Sequence, residues 1–310
     1  MSWFLGGGSS PSKEPSRAAE WSTLLSTDAS GRLSLGEPAL AKLEAMDEPV
    51  ALVAFATYRK RGEASARHFV EGLLSPRADD ACPAPGGDDA RAGAPAVALC
   101  SLSFERAAHS DAVDDAAHAA AAHKGAHRTL FVDASAVLLA AAQNAPGARA
   151  LLAATLLASS ALVFEAPGAG RDAAAADAAL LAFTALEELV SLVVVNAGDR
   201  ADEKNHEKLF EHMPGLLWAL DATPADASAG DGGEKRKPPS ARQALEKVFA
   251  NESGFSDEVA RRNHARMLAQ SVFKRRDGAW LCGAADARRA CLRKVLSPRA
   301  RARPSSRGRR

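Results

Sequence analysis

The sequence has few cysteines, no long apolar run and almost no net charge. Its four cysteines, Cys82, Cys100, Cys282 and Cys291, form no CxxC pair and show no zinc-site spacing with histidine. Such scattered cysteines are typical of a reducing compartment. No stretch reaches the roughly eighteen apolar residues of a membrane-spanning helix, and residues 1–10 lack the cationic and apolar segments of a signal peptide. The sequence therefore predicts a cytoplasmic protein without a membrane span.

The charge of the chain is nearly balanced but unevenly distributed. A net charge of +1 gives no whole-molecule field that would point to nucleic acid or to a membrane. Residues 289–310, however, are rich in arginine, with Pro, Ser and Gly between the charges. Two interpretations of this basic segment stay open: a solubilising end, or a weak contact with nucleic acid, anionic lipid or the nuclear import machinery.

Short apolar runs alternate with helical patterns along most of the chain. Strands are predicted at 50–56, 96–104, 129–132, 161–164, 216–220 and 279–282. Helices are predicted at 33–46, 64–74, 147–159, 172–194, 240–250 and 256–273. This alternation predicts an α/β fold with a mainly parallel sheet and helices on both faces.

Two strand ends carry the candidate functional residues, because ligands of open α/β sheets bind at the carboxyl ends of strands. The strand at 50–56 is followed by Thr57-Tyr58-Arg59-Lys60-Arg61-Gly62-Glu63-Ala64-Ser65. The strand at 129–132 leads into Asp133-Ala134-Ser135-Ala136. A strand, a glycine-containing turn and a helix, followed later by a strand that ends in aspartate, is the layout of P-loop nucleotide triphosphatases.

Several segments, in their order and spacing, resemble the N-terminal G domain of the guanylate-binding protein and atlastin-like large GTPases. The similarity covers about residues 28–291 and is carried by these segments: Asp28-Ala29-Ser30-Gly31-Arg32-Leu33, Tyr58-Arg59 with Gly62, Asp133-Ala134-Ser135-Ala136, the passage 156–164, Met213-Pro214 with Trp218-Ala219-Leu220-Asp221, and Val272-Phe273-Lys274-Arg275-Arg276-Asp277.

The resemblance implies a P-loop NTPase-like G domain at 21–292, between a disordered N-terminus (1–20) and a basic disordered tail (293–310). It also implies GTP and Mg²⁺ as ligands and a homodimer formed through the G domain. Arg59 matches the catalytic arginine of the family, although a surface arginine is the alternative interpretation. The remaining residues of the implied nucleotide site are Tyr58, Lys60, Arg61, Gly62, Glu63, Ser65, Asp133, Ala136 and Asp221.

The same positions depart from what GTP binding requires. Glu63 stands where the family has the lysine that neutralises the β- and γ-phosphates, and a charge contact at 4 Å is worth roughly 4 kcal/mol at an effective dielectric constant of about 20. Ala136 replaces a glycine, and the arginine that would accompany Asp221 in reading guanine is missing. Residues 76–96 contain no Ser or Thr that could complete a Mg²⁺ shell.

These departures predict a pseudo-GTPase, a G-domain-like interaction module with a vestigial GTP site and no other metal site. The alternative is a divergent, active GTPase in which Lys60 or Arg61 replaces the lost lysine. The sequence does not identify the protein partner.

Overall fold

The computed structural model describes residues 21–47, 50–58, 95–105, 128–166, 168–169, 172–189, 209–220 and 240–280. The N-terminus predicted to be disordered, the basic tail and the helix predicted at 64–74 lie outside these described residues.

The described strands form one eight-stranded sheet in the order β2-β1-β4-β5-β3-β6-β7-β8. The strands are β1 (Trp21–Thr27), β2 (Leu33–Leu35), β3 (Val50–Thr57), β4 (Ala96–Glu105), β5 (Arg128–Asp133), β6 (Ser159–Glu165), β7 (Gly215–Leu220) and β8 (Arg276–Trp280).

The sheet is parallel from its centre to one edge and antiparallel at the other edge. Strand β3 pairs in parallel with both β5 and β6, and β7 and β8 continue the parallel part. Strands β2, β1 and β4 join antiparallel, and β4 is antiparallel to β5. The predicted α/β class with a mostly parallel sheet is confirmed.

In the chain, the first described helix follows β2, and the others lie in the connections from β5 to β6, β6 to β7 and β7 to β8. The helices are α1 (Glu37–Glu44), α2 (Ser135–Ala142), α3 (Ala148–Ala158), α4 (Ala173–Leu181), α5 (Ala241–Val248) and α6 (Asp257–Val272), and a 3₁₀ turn over Ala182–Leu186 follows α4. Three of these helices have a polar N-cap side chain. Asp172, Ser240 and Ser256 accept hydrogen bonds from backbone N–H groups in the first turn of α4, α5 and α6.

Three element predictions were wrong in extent. The predicted helix at 33–46 is divided, because Leu33–Leu35 pairs with β1 and the helix begins only after Gly36, with Pro38 in its first turn. The long helix predicted at 172–194 is interrupted: it is α-helical to Leu181 and continues as the 3₁₀ turn, and residues 190–194 lie outside the described residues. The last strand begins at Arg276, three residues before the predicted start.

Two elements were not predicted at all. Strand β1 has an irregular apolar pattern, because a bulge between Thr23 and Leu25 shifts its register with β4. Helix α2, with the sequence SAVLLAAA, is apolar along most of its length and so shows no helical periodicity.

A cluster of aromatic side chains forms the centre of the core. The Trp218 ring meets the Phe164 ring edge to face, with the centroids 4.8 Å apart, and contacts Phe249 in the same way at 5.8 Å. Phe183, in the 3₁₀ turn, lies between Phe164 and Phe273. Such edge-to-face pairs stabilise a core beyond their buried area, by about 0.5–1.5 kcal/mol each. They fix the 3₁₀ turn and the ends of α5 and α6 against β6 and β7.

Both faces of the central strand β3 are buried. Ala54 and Ala56 belong to the main core with α2 and α3, while the alternate residues Val53 and Phe55 are also almost fully buried. The Phe55 ring contacts the Phe131 ring of β5 at 5.6 Å. Burial on both faces is typical of parallel strands in α/β proteins and explains why the β3 sequence is a continuous apolar run.

The Asp28–Leu33 segment forms the turn between β1 and β2 and contacts the turn between α2 and α3. The Asp28 carboxylate accepts hydrogen bonds from the Ser30 hydroxyl and from the backbone N–H groups of Ser30 and Arg32. These bonds, led by that of the Ser30 hydroxyl, lower the pKa of Asp28 below its usual value. Gly31 and Gly147 face each other with φ angles of 82° and 70°. The Asp and Gly residues of this segment therefore have a structural role in the turn.

We predict that Gly147→Ala lowers the free energy of unfolding by about 2–4 kcal/mol, because the added Cβ both opposes the positive φ and collides with the Gly31 backbone. Gly168→Ala is the matched control, since Gly168 has a φ of 82° but an added Cβ would meet only the Ala175 side chain, at 3.3 Å. The control is expected to lose only about 1–2 kcal/mol. Urea unfolding of both variants makes the comparison, and equal losses would contradict the close contact.

A network of charged side chains joins α4, the α5–α6 connection and α6. Arg266 is only 4% exposed and donates hydrogen bonds to the carboxylates of Asp177 and Glu252 and to the Val248 carbonyl. Arg262 donates to Glu252 at 2.7 Å. Hydrogen bonds from Arg262 and Arg266 lower the pKa of Glu252, whereas burial raises that of Asp177 despite Arg266. Glu252 therefore stabilises the fold at neutral pH, and this contribution is lost as pH falls through its lowered pKa.

We expect Arg266→Met to lower the free energy of unfolding by about 3–5 kcal/mol, because it leaves Asp177 partly buried without its main cation. Arg261→Met, at an exposed position of the same helix, should change it by less than about 0.5 kcal/mol. Thermal or urea unfolding at neutral pH measures both. A loss for Arg266→Met as small as that of the control would show that the network does not hold α6 in place.

Candidate functional site

The carboxyl ends of β3, β5 and β6 lie side by side at one edge of the sheet. In the parallel registers, Phe55 of β3 is aligned with Asp133 of β5, and Thr57 is aligned with Glu165 of β6. From β3 the chain proceeds to β4 and β5 on one side, and from β6 it proceeds to β7 and β8 on the other. The boundary between β3 and β6 is therefore a topological switch point, where open α/β sheets bind their ligands.

On the β5 side, this edge is closed by hydrogen bonds between the end of β3 and the start of α2. The Ala134 N–H donates to the Phe55 carbonyl at 2.7 Å, which continues the pairing of the two strands. The Thr57 N–H donates to the Ser135 hydroxyl oxygen at 3.0 Å. The Asp133 carboxylate accepts from the Ser135 N–H, also at 3.0 Å. The first amide of α2 and the last amide of β3 thus have partners within the protein.

On the β6 side, Glu165 closes the same edge with its side chain and its backbone. Its carboxylate accepts a hydrogen bond from the Thr57 hydroxyl at 2.9 Å, and its carbonyl accepts from the Tyr58 N–H at 2.8 Å. Glu165 is 7% exposed and Thr57 is 4% exposed. A carboxylate so little exposed at the switch point is the main polar feature of this edge.

The sequence analysis missed Glu165, although this residue directly follows the strand predicted at 161–164. The signal that could have revealed it is its position directly after an apolar strand, the same kind of position that identified Asp133. The partners of Glu165 were not foreseeable, since Thr57 lies 108 residues away in the chain.

The structure describes three of the predicted site residues. Tyr58 follows β3 directly and is half-buried against the core. Asp133 ends β5, one strand away, and Ala136 is an exposed residue in the first turn of α2. The sheet therefore brings the Tyr58 segment and the Asp133 segment to the same edge. The other predicted residues lie outside the described residues: Arg59, Lys60, Arg61, Gly62, Glu63, Ser65 and Asp221.

The chemistry of the described part of this edge is acidic. Two carboxylates, those of Asp133 and Glu165, stand at the ends of the two strands that flank β3. The N–H groups of Thr57, Tyr58 and Ser135 donate to protein acceptors. Phosphate sites in proteins use backbone N–H groups that point at the ligand, together with cations. At the end of β3, by contrast, the described amides point at protein acceptors, and carboxylates lie on the two flanking strands.

A concave surface lies at the C-terminal end of α2 and does not belong to this edge. It encloses about 280 Å³ and is lined by Asn144, Ala145, Gly147, Arg149, Ala150 and Glu188. The Arg149 guanidinium already contacts the Asn144 and Glu188 side chains. This surface therefore has an internal ion pair where a charged ligand would have to bind.

Neither a metal centre nor a membrane segment occurs in the part of the chain that the structure describes. No three His, Cys, Asp or Glu side chains in those ranges are grouped so that they could hold a metal ion. None of the described helices combines the length and the apolar character needed to cross a bilayer.

A scan against protein-family models finds no match to this chain, and a search of curated proteins finds no significant relative.

Proposed function

We propose that this chain is a G-domain-like interaction module, over residues 21–292, whose capacity to bind GTP is lost. The observation that carries the proposal is the closure of the β3 carboxyl end by Thr57, Ser135 and Glu165. That end is the point from which a phosphate-binding loop would start in a domain of this type.

The layout of the sheet supports the G-domain part of the proposal. A P-loop domain needs its phosphate loop at the carboxyl end of one strand and a metal-binding aspartate at the end of a nearby strand. Strand β3 continues into the Tyr58 segment, and Asp133 ends the adjacent parallel strand β5. Both belong to a central pair of strands buried on both faces, so their relative position is fixed by the core.

The chemistry at the same place supports the loss of GTP binding. A nucleoside triphosphate carries several negative charges and requires a lysine and unpaired amides in the loop. Glu63 stands at the lysine position of the sequence, and Glu165 adds a carboxylate beside the start of the loop. A carboxylate in place of the lysine opposes the negative charge of the triphosphate.

Loss of catalysis leaves the shape of the domain available for binding another protein. A protein partner, or a second copy of this chain across the nucleotide face, is the ligand class that suits a module of this kind. We also propose a cytoplasmic location, from the cysteine pattern of the sequence. A weak contact of the basic tail (293–310) with nucleic acid or anionic lipid is a further part of the proposal.

We predict that the purified protein shows no saturable binding of a fluorescent GTP analogue with Mg²⁺ up to about 100 μM, a concentration that detects sites stronger than about −5 kcal/mol. Fluorescence anisotropy measures the binding, and Glu63→Lys should strengthen it. Micromolar binding by the unmodified protein would contradict the loss of GTP binding, and no gain from Glu63→Lys would contradict the role given to Glu63.

The divergent GTPase remains a second candidate, because Asp133 is retained at the end of β5 beside β3. In that case Lys60 or Arg61 neutralises the phosphates in place of the lost lysine. Lys60→Ala or Arg61→Ala would then abolish detectable phosphate release from GTP, because losing a charge contact of roughly 4 kcal/mol lowers the rate roughly a thousandfold. Phosphate release that is absent in the unmodified protein excludes this candidate.

A further inference from the structure

We propose that the contact between α4 and α6 is pH-dependent, because its charged network takes up one proton on Asp177 as the pH falls and is thereby strengthened. The network consists of Asp177 on α4, Glu252 in the α5–α6 connection, and Glu258, Arg262 and Arg266 on α6. This inference is independent of the proposed function, since these residues lie apart from the β3 edge.

Two carboxylates of the network share one nitrogen of a guanidinium group. Nη2 of Arg266 donates to the Asp177 carboxylate and also, at 2.8 Å, to the Glu252 carboxylate. The other Glu252 oxygen accepts from Arg262 at 2.7 Å. Because both carboxylates approach the same donor, their negative charges lie close together. Like charges in such an arrangement favour protonation of one of the two groups.

The network contains more carboxylates than guanidinium groups. Arg262 also donates to Glu258 at 2.9 Å, and its Nε lies 3.5 Å from the second Asp177 oxygen. Three carboxylates thus share the two cations Arg262 and Arg266. One negative charge is in excess, and in a partly buried network such a charge is unfavourable. Uptake of one proton from solvent removes the excess.

Burial decides which carboxylate takes the proton. The side chain of Asp177 is 16% exposed, whereas those of Glu252 and Glu258 are 33% and 67% exposed. Burial raises the pKa of Asp177 and the Glu252 carboxylate adds to this rise, although the charges of Arg266 and Arg262 oppose it. Hydrogen bonds from Arg262 and Arg266 lower the pKa of Glu252. The proton therefore goes to Asp177, whose O–H can then donate to the Glu252 carboxylate.

The elements that pack against α4 carry other charged groups, which are exposed or paired with one another. His264 of α6 lies 3.5 Å from Glu187, which follows the 3₁₀ turn, and Arg276 of β8 lies 3.4 Å from Glu246 of α5. The following charged residues of these elements are exposed: Asp172, Glu188, Arg242, Lys247, Asp257 and Arg261. The charges that act directly on Asp177 are therefore those of the network itself.

Asp177 and Glu252 change the stability of the fold in opposite directions as pH changes. Because the pKa of Asp177 is raised, its contribution is present at acidic pH and is lost as pH rises through the raised value. Because the pKa of Glu252 is lowered, its contribution is lost as pH falls through the lowered value. The network is therefore most stabilising in the acidic window between these two values.

Carbon-13 NMR of the Asp177 carboxyl group in the full chain measures its protonation directly. We expect the midpoint of its titration to lie above the ordinary aspartate value of about 3.9. Glu258→Gln removes the excess negative charge and should move the midpoint down, whereas Arg262→Gln increases the excess and should move it up. Asp47→Asn, at an exposed carboxylate outside the network, is the control and should leave the midpoint unchanged.

Urea unfolding at several pH values measures whether the proton strengthens the contact. Asp177→Asn keeps an oxygen that accepts from Arg266 but cannot take up the proton. As pH falls from about 7 to about 4, the folding equilibrium constant of the unmodified protein should rise several-fold relative to that of Asp177→Asn. The same ratio formed with Asp47→Asn should stay nearly constant.

Three results would overturn the proposal. They are an Asp177 midpoint at or below the ordinary value, a midpoint that neither Glu258→Gln nor Arg262→Gln moves, and a folding constant that does not rise relative to that of Asp177→Asn as pH falls. If Asp177→Asn does not fold, the NMR titration of the unmodified protein decides the question alone.

Discussion

The parallel pairing of β3 with both β5 and β6 is the constraint on which the rest of the structure depends. It buries Val53 and Phe55 on one face and Ala54 and Ala56 on the other, so a slip by one residue would place the large side chains where the small alanines pack. The same pairing sets the registers that place Asp133 and Glu165 at the ends of the flanking strands. The core therefore decides which polar groups meet at the candidate site.

Those groups satisfy one another. Thr57 donates through its N–H to Ser135 and through its hydroxyl to Glu165, while Tyr58 donates to the Glu165 carbonyl. In a nucleotide-binding domain, the ligand supplies acceptors at such an edge and orders the segment that follows the strand. Here the acceptors for the Thr57 and Tyr58 amides are protein oxygens. The described part of this edge is therefore held together by hydrogen bonds within the protein.

The sequence predicted the central part of this fold because the apolar runs of β3, β5, β6 and β7 are short and are bounded by polar residues. It failed where local pattern and tertiary contact disagree. Leu33–Leu35 has a helical pattern with the residues that follow, yet it pairs with β1, and the apolar α2 has no polar face to reveal its period. At the site, Asp133 was predicted from its position after a strand. Glu165 was missed because its role comes from Thr57, which only the sheet brings near.

The most direct measurement of the central claim is hydrogen exchange at the Thr57 and Tyr58 amides, with and without GTP and Mg²⁺. Hydrogen bonds at 3.0 Å to Ser135 and 2.8 Å to the Glu165 carbonyl should protect both amides in the nucleotide-free protein. We predict protection of both amides without nucleotide and no change when GTP and Mg²⁺ are added. Rapid exchange of both amides without nucleotide, followed by protection on addition of GTP and Mg²⁺, would contradict it.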